Sequence, residues 1–575
     1  MKNYYAEELS YLRDLGARFA EAHPGAAPLL GTRSTDPDVE RILEGVAFLC
    51  GLIHERLDQN FPEVVYGLLE MAAPDVLQPR PSQTIVAFTP EPGVPGVQSA
   101  AAGAELASVP VNGTSCIYTL PRQLDILPVR QTLARLERPS PNSAVLRVVL
   151  KGQAPLGAWL PASLGFHLHD AFPRACQWHY LLRRFTSRIE ASAGGAAIQL
   201  PPSALETDYH EGLPAEAFSG AGPGMLSYLA RSALKNYFSL PEQFLFLRLG
   251  GLAPLASAEA NDLELAFHLK GPFPDMPEPA EGLFLLNASP AINIFPRSGA
   301  PFVLSNARQD YLLQPAKDPG RHLEIHSIRS VMGLRRGGGM RTYLPYASFK
   351  PRGEGQCSYT LRRSVSPVNG RMEYAISLLQ TDLDGFWENE TLATEFLCYH
   401  HSLPLSLREG DVCMPTDSSP AMARFANIVP PTAPAPPVSD SNALWKLFSC
   451  VHANLLPLLN EDSLKEFLTL CLPSADPDPT HSVQNQERIA AFVQCRARQE
   501  ERFFRGRPLR GVAVEMSVDE GKFASEGEVF ILGSLLSRVL ARFATINTYL
   551  RTAVKDLASD RSLQWPPRLG DKRLL

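Results

Sequence analysis

The stretch LQPRPSQTIVAFTP, residues 77–90, is where the apolar period of this chain changes. Before it, hydrophobic residues recur every three or four positions; from it onward they fall in short β-branched or aromatic runs closed by Pro, Gly or Asp. That switch sets the expected fold class: an α+β, multidomain chain with a helical N-terminal region, β-rich middle domains and a mixed α/β C-terminal domain. The implied boundaries are 1–80, 81–230, 231–428, a proline-rich linker at 429–441, and 442–575.

Upstream, YYAEELSYLRDLGARFAEAHP places Tyr5, Leu9, Leu12, Leu15 and Phe19 at helical steps and stops at Pro24. A second helix is expected from Asp36-Pro37, an N-cap followed by proline in the first turn. Its apolar stripe, from Val39 and Ile42 to Ile53 and Leu57, covers nearly half the circumference. A third helix follows Pro62 and ends before Pro74. So broad a stripe needs more cover than three short helices give one another. Another domain or another subunit must bury the rest.

Downstream, TIVAF, SAVLRVVL, GFHLHDAF, FLFLRL, LELAFHL and YAISLLQ read as strands. GMLSYLARSALKNYFSLPEQF (224–244) reads as an embedded helix, and VPPTAPAPPVSDS (429–441) as an extended connector. Beyond it, NALWKLFSCVHANLLPLL and EDSLKEFLTLCLP read as helices, the second capped by Asp462 or Ser463. RGVAVEMSVDE alternates as a strand, and EVFILGSLLSRVLARFATINTYL reads as one long helix. Leading into that strand, Arg496, Arg498, Arg502, Arg505, Arg507 and Arg510 form a basic cluster, offset by Glu500 and Glu501. It reads as a solvated face or as a contact for an acidic partner protein.

Composition narrows the function. Sixty acidic residues against 54 basic ones leave a net charge of −6, which offers no broad field for nucleic acid. Glu7, Glu8, Arg13 and Asp14 interrupt the start, so no signal peptide is expected, and no segment reads as membrane-inserting. Nine cysteines, none in a C-x-x-C pair, fit free thiols in a reducing cytoplasm. The 51 prolines favour short elements and irregular connections.

Catalytic motifs are missing: there is no G-x-S-x-G elbow, no phosphate-binding G-x-x-x-x-G-K-[ST] loop and no H-E-x-x-H helix. HERLD (54–58) has aspartate where a second histidine is needed, and RRGGGMR (335–341) reads as a turn. His167 and His169 read as a polar sheet face. CYHHSLP (398–404) is the sharpest candidate, because cysteine and imidazole are zinc's ligands and a thiol beside histidine can be a nucleophile. Adjacent residues of a strand point to opposite faces, so Cys398 and His400 share one side and His401 turns away. Two convergent ligands do not make a site. A metal-dependent hydrolase using Cys398, His400 and His401 is the alternative reading; no metal and no cofactor is the expectation.

Read in order, several strings resemble one family. YYAEELSYLRDLGARFAEAHP, DPDVERILEGVAFLCGLIHERLDQNFPEVVYGLLEMAAPDVLQPRPS, NYFSLPEQFLFLRL (236–249), NASPAINIFPRSGAPFVL (287–304), LEIHSIRSVMG (323–333), TLRRS (360–364), LWKLFSCVHANLLPLL (444–459) and 505–554 are similar to the type VI secretion baseplate subunit TssF, also called VasA or ImpG. CYHHSLP departs from it, with Tyr399, His400 and His401 where the family commonly carries Thr-Asn-Arg. The resemblance implies a non-enzymatic wedge protein, cytoplasmic, at the cytoplasmic side of an inner-membrane secretion complex. It implies TssG-like and TssK-like partners, a second TssF copy, the spike hub, and TssE and sheath components; a wedge protein of a related phage-like contractile machine is the near alternative. On that reading Tyr5, Leu9, Leu12 and Phe19 face a partner or a second copy, and Arg502 and Arg505 contact an acidic one.

Overall fold

The computed structural model describes residues 2–23, 37–58, 62–72, 77–94, 96–208, 233–305, 308–317, 322–334, 339–346, 357–366, 369–379, 390–438, 440–452, 459–473, 478–504, 507–559 and 561–570. The chain is mixed α/β and rich in strand, as the sequence implies, and it divides into two compact units. One comprises residues 1–71 with 438–449; the other comprises 72–437 with 450–575.

The first unit is helical. Helices α1 (Lys2–Ala22), α2 (Pro37–Asp58) and α3 (Pro62–Ala72) stand where the apolar period puts them, joined by the Ser441–His452 helix. α1 and α2 run antiparallel: Arg13 pairs with Glu40 at 2.8 Å and His54 with Glu8 at 2.6 Å. Gly51 permits this approach, since a Cβ there would sit 3.2 Å from the Tyr5 backbone nitrogen. The buried hydrophobic residues among those described are Ala20, Ala47, Val65, Leu69, Leu444 and Leu447, a small core for four helices.

The second unit is built on the opening stretch. Gln83–Pro90 lies between Ala288–Ile292 and Ala423–Asn427, antiparallel to both, in a six-stranded sheet. Val86, Phe88, Leu106, Tyr118, Leu403 and Phe425 fill its core. The proline-rich 429–437 segment does not hang free. Arg80 and Ala435 exchange backbone hydrogen bonds at 2.8 Å, and Thr432 Oγ1 accepts from Gln83 N at 2.9 Å. A five-stranded sheet joins Val129–Ser140, Ser143–Gly152, Asp262–Lys270, Thr186–Ala193 and Ala196–Leu200, so strands on both sides of the expected boundary at residue 230 share one sheet. A further large sheet runs through Leu323–Leu334 and Thr391–His400.

The C-terminal sheet orders Phe492–Phe504, Arg507–Val518, Thr548–Asp556 and Ser562–Gln564. Its two middle strands are parallel, and the Glu526–Ala541 helix makes the crossover between them. Ser525 caps that helix, accepting from Glu528 N. Its core is continuous with the five-stranded sheet's, taking in Leu146, Phe267, Leu536 and Leu550 alike. Gly527 allows the close approach, because a Cβ there would meet the Cys176 carbonyl oxygen at 2.1 Å.

Three local readings are corrected. The long C-terminal helix stops at Ala541 and Thr548 begins a strand; Asn547 adopts a left-handed φ of 67° that no helix continues through. Asn460, not Asp462 or Ser463, caps the Glu461–Thr469 helix, accepting from Ser463 N. GFHLHDAF is strand only to Leu168, and a helix over Phe172–Phe185 begins with Pro173 in its first turn. Apart from Arg505, outside the described residues, the arginine cluster lies on the 13-residue strand Phe492–Phe504 and its partner. Of the expected 224–244 helix 233–244 is described: 233–239 is helical and, past Leu240, Pro241–Leu245 is a 3-10 turn.

Candidate functional site

CYHHSLP closes the Thr391–His400 strand, and the two sides of the strand do different things. Cys398 is fully buried among Phe295, Ile325 and Phe396. His400, on the same side, is buried against the Phe295 ring at 4.9 Å. Asn293 holds it from two directions: its Oδ1 accepts from His400 N at 2.7 Å and its Nδ2 lies 3.1 Å from His400 Nδ1. Tyr399 and His401 turn the other way, onto Glu324. Tyr399 Oη donates to Glu324 Oε2 at 2.5 Å, and His401 Nδ1 lies 3.2 Å from Oε1. Burial, then the Glu324 charge, pushes the Tyr399 phenol well above its ordinary value. One imidazole thus serves packing and the other an ion pair.

The remaining chemical candidates are absorbed similarly. His54 pairs with Glu8, and the Glu55 and Asp58 side chains of HERLD lie outside the described residues. His167 packs on Phe246 at 4.7 Å with Nε2 3.1 Å from the Glu242 carbonyl, while His169 is exposed. RRGGGMR connects Leu323–Leu334 to Met340–Pro345 as a hairpin, with 335–338 outside the described residues. The most elaborate polar group is internal: Arg488 Nε donates to Glu528 Oε1 at 2.8 Å, Tyr237 Oη donates to the same oxygen at 2.9 Å, and Ala524 N donates to Oε2 at 2.7 Å. Every arm of it is used within the fold, which makes it a brace. Among the described residues no group of three or more His, Cys, Asp or Glu could hold a metal, and no described helix is long and apolar enough to cross a membrane.

What the chain leaves open is apolar. On α2, Ile42, Val46, Leu49 and Ile53 occupy one stripe at steps of four, three and four, and are 66, 40, 60 and 58% exposed. On α1, Tyr11, Leu15 and Phe19 are also exposed, whereas Tyr5, Leu9 and Leu12 are half-buried. Sequence reasoning singled out the α1 residues; the α2 stripe was visible as too wide for its cover but was not named as a contact. Arg502 is exposed and sits 3.5 Å from Glu500, and Arg505 lies outside the described residues.

The helical N-terminal unit, with its wide apolar face, followed by β-rich sheets agrees with the resemblance drawn from the sequence. The sequence model of the type VI secretion system TssF family matches residues 1–572. The chain belongs to the TssF family. The type VI secretion system component TssF1 of Pseudomonas aeruginosa is 26% identical over 630 aligned residues, covering 99% of this chain and 98% of that protein. Among solved structures, a chain from a cryo-electron microscopy structure of the type VI secretion system TssK-TssF-TssG baseplate subcomplex superposes with a TM-score of 0.76 at 24% identity. It covers 92% of this chain and 99% of that one. A chain of the type VI baseplate complex aligns over both full lengths with a TM-score of 0.67 at 22% identity. The TssF fold is therefore shared across the length of the chain.

Proposed function

We propose that this chain is a structural subunit of a type VI secretion baseplate, assembling with TssG-like and TssK-like proteins in a wedge at the cytoplasmic side of the inner-membrane complex. In that position it would adjoin a second TssF copy, the spike hub, and TssE and sheath components. The reading is supported first by family membership, and then by one physical observation: the α2 stripe of Ile42, Val46, Leu49 and Ile53 is open in the isolated chain. Contiguous apolar faces of this kind mark protein contacts, and obligate interfaces resemble a domain core cut in half.

Its work is then to hold other chains rather than to transform a substrate. Cys398, His400 and His401 fit that account, since their side chains are engaged in packing and in the Glu324 pair. The test is genetic. In a strain whose sheath carries a fluorescent label, deleting the gene for this chain should abolish sheath assembly and secretion, with restoration by the wild-type copy. Normal sheaths in the deletion strain would overturn the proposal.

A further inference from the structure

The Phe492–Phe504 and Arg507–Val518 strands form a long hairpin, and the first of them is the edge of the C-terminal sheet. It is 13 residues long and pairs, among the described residues, with its hairpin partner alone. Residues 496–499 and 501–503 are all exposed. Alternation places Arg496, Arg498, Glu500 and Arg502 on one face and Phe503 on the other. Phe503 is 81% exposed, more than any other large hydrophobic residue described.

The root of this arm is held firmly. Glu500 receives a two-pronged contact from Arg551, Nε at 3.0 Å and Nη2 at 2.6 Å. The Tyr549 ring lies over Gly511, where a Cβ would come within 2.3 Å of it. Glu500, the acidic member of the row, is thus held by Arg551, with Arg502 Nε at 3.5 Å, and the three arginines outnumber it on that face. Across 492–510 there are six arginines against two glutamates, a local charge of +4. The whole chain carries −6, so the remainder carries −10.

Charged side chains commonly guard an edge strand against unwanted pairing. Guarding accounts for arginines but not for a phenylalanine at the exposed end of the same strand. We propose that this edge is a docking strand: an acidic, extended segment of a partner protein adds along it, with carboxylates at alternate positions meeting Arg496, Arg498 and Arg502. Side chains of one strand recur on a face every two residues, roughly 6.8 Å, so an added strand presents its own row in step. Backbone hydrogen bonds along the edge give affinity, the arginine row selects acidic sequences, and Phe503 anchors the end.

The inference rests on the assembly reading above, and the test separates the two. Ala497→p-benzoylphenylalanine is introduced into the full chain, which is then irradiated in cells assembling the apparatus and in a reconstituted complex with TssG and TssK. The expected adduct maps to an extended segment with acidic residues at alternate positions. Arg496→Glu, Arg498→Glu and Arg502→Glu together should lower its yield at least tenfold, lysine at all three should preserve it, and reversing the mapped carboxylates should restore it. An unchanged thermal melt shows that the triple variant is folded. A chain that joins no complex overturns both readings. A complex that forms without an adduct, or with one on a neutral surface, a basic surface or nucleic acid, overturns this inference alone.

Discussion

Truncating the open stripe of α2 gives the most exacting prediction. Ile42, Leu49 and Ile53 are 66, 60 and 58% exposed, so roughly three-fifths of each side chain is available to a partner. Replacing each by alanine removes three carbons; at about 0.8 kcal/mol per buried methylene, the exposed share is worth about 1.5 kcal/mol per residue and about 4.5 for the three. That corresponds to a roughly thousandfold weaker association. The fold should suffer less, because alanine's better helix propensity offsets part of the lost packing by a few tenths of a kcal/mol per site. The assay is titration of purified triple variant against a TssG-like protein, with helicity and melting temperature measured in parallel. An affinity within threefold of wild type, in a folded variant, would refute the claim that this stripe is buried in assembly.

Other consequences follow from the interior. Arg488→Met strands the buried Glu528 carboxylate and should destabilise the chain by about 3–5 kcal/mol, measured by urea denaturation; Arg488→Met with Glu528→Leu should recover much of it. Burial lowers His167 and His326 to about 4, and burial with the nearby Arg183 charge lowers His179 to about 3, from an ordinary value of 6.5. The unfolded chain therefore binds more protons below pH 6.5, and stability falls as pH drops from 6.5 towards 4. His179→Leu should flatten that slope by up to about 1.4 kcal/mol per pH unit, seen as a shallower dependence of melting temperature on pH. Gly527→Ala should prevent the helices at 172–185 and 526–541 from closing, with loss of soluble protein, since the obstructing atoms are backbone. Elemental analysis of purified protein should find no stoichiometric zinc; zinc lost on His400→Ala with His401→Ala would contradict the packing role given to that segment.

Much of the fold was legible locally. α1, α2 and α3 and the strands at 83–90, 143–152, 262–270 and 372–379 each carry their own period and their own stop signals, and they stand where those signals put them. Failures cluster where tertiary context decided. The Phe172–Phe185 helix is buried at every residue from Ala175 to Leu182, so its middle has no solvent face to mark a helical period in the sequence. The end of the 526–541 helix depended on a single left-handed Asn547. Sheet partnership across residue 230 was invisible, because nothing in LELAFHL specifies that its neighbours are Ser143–Gly152 and Thr186–Ala193. At the candidate site, alternation along the 391–400 strand foretold that Cys398 and His400 share a side. The roles of Asn293 and Glu324 were beyond reach, since these residues lie 75 or more positions away in the chain.

Co-expression with TssG-like and TssK-like proteins, followed by native mass spectrometry, tests the central claim most directly. The account predicts a complex of fixed stoichiometry that contains this chain, survives purification and loses it when Ile42, Leu49 and Ile53 become alanine. A monodisperse monomer that ignores both partners would contradict it.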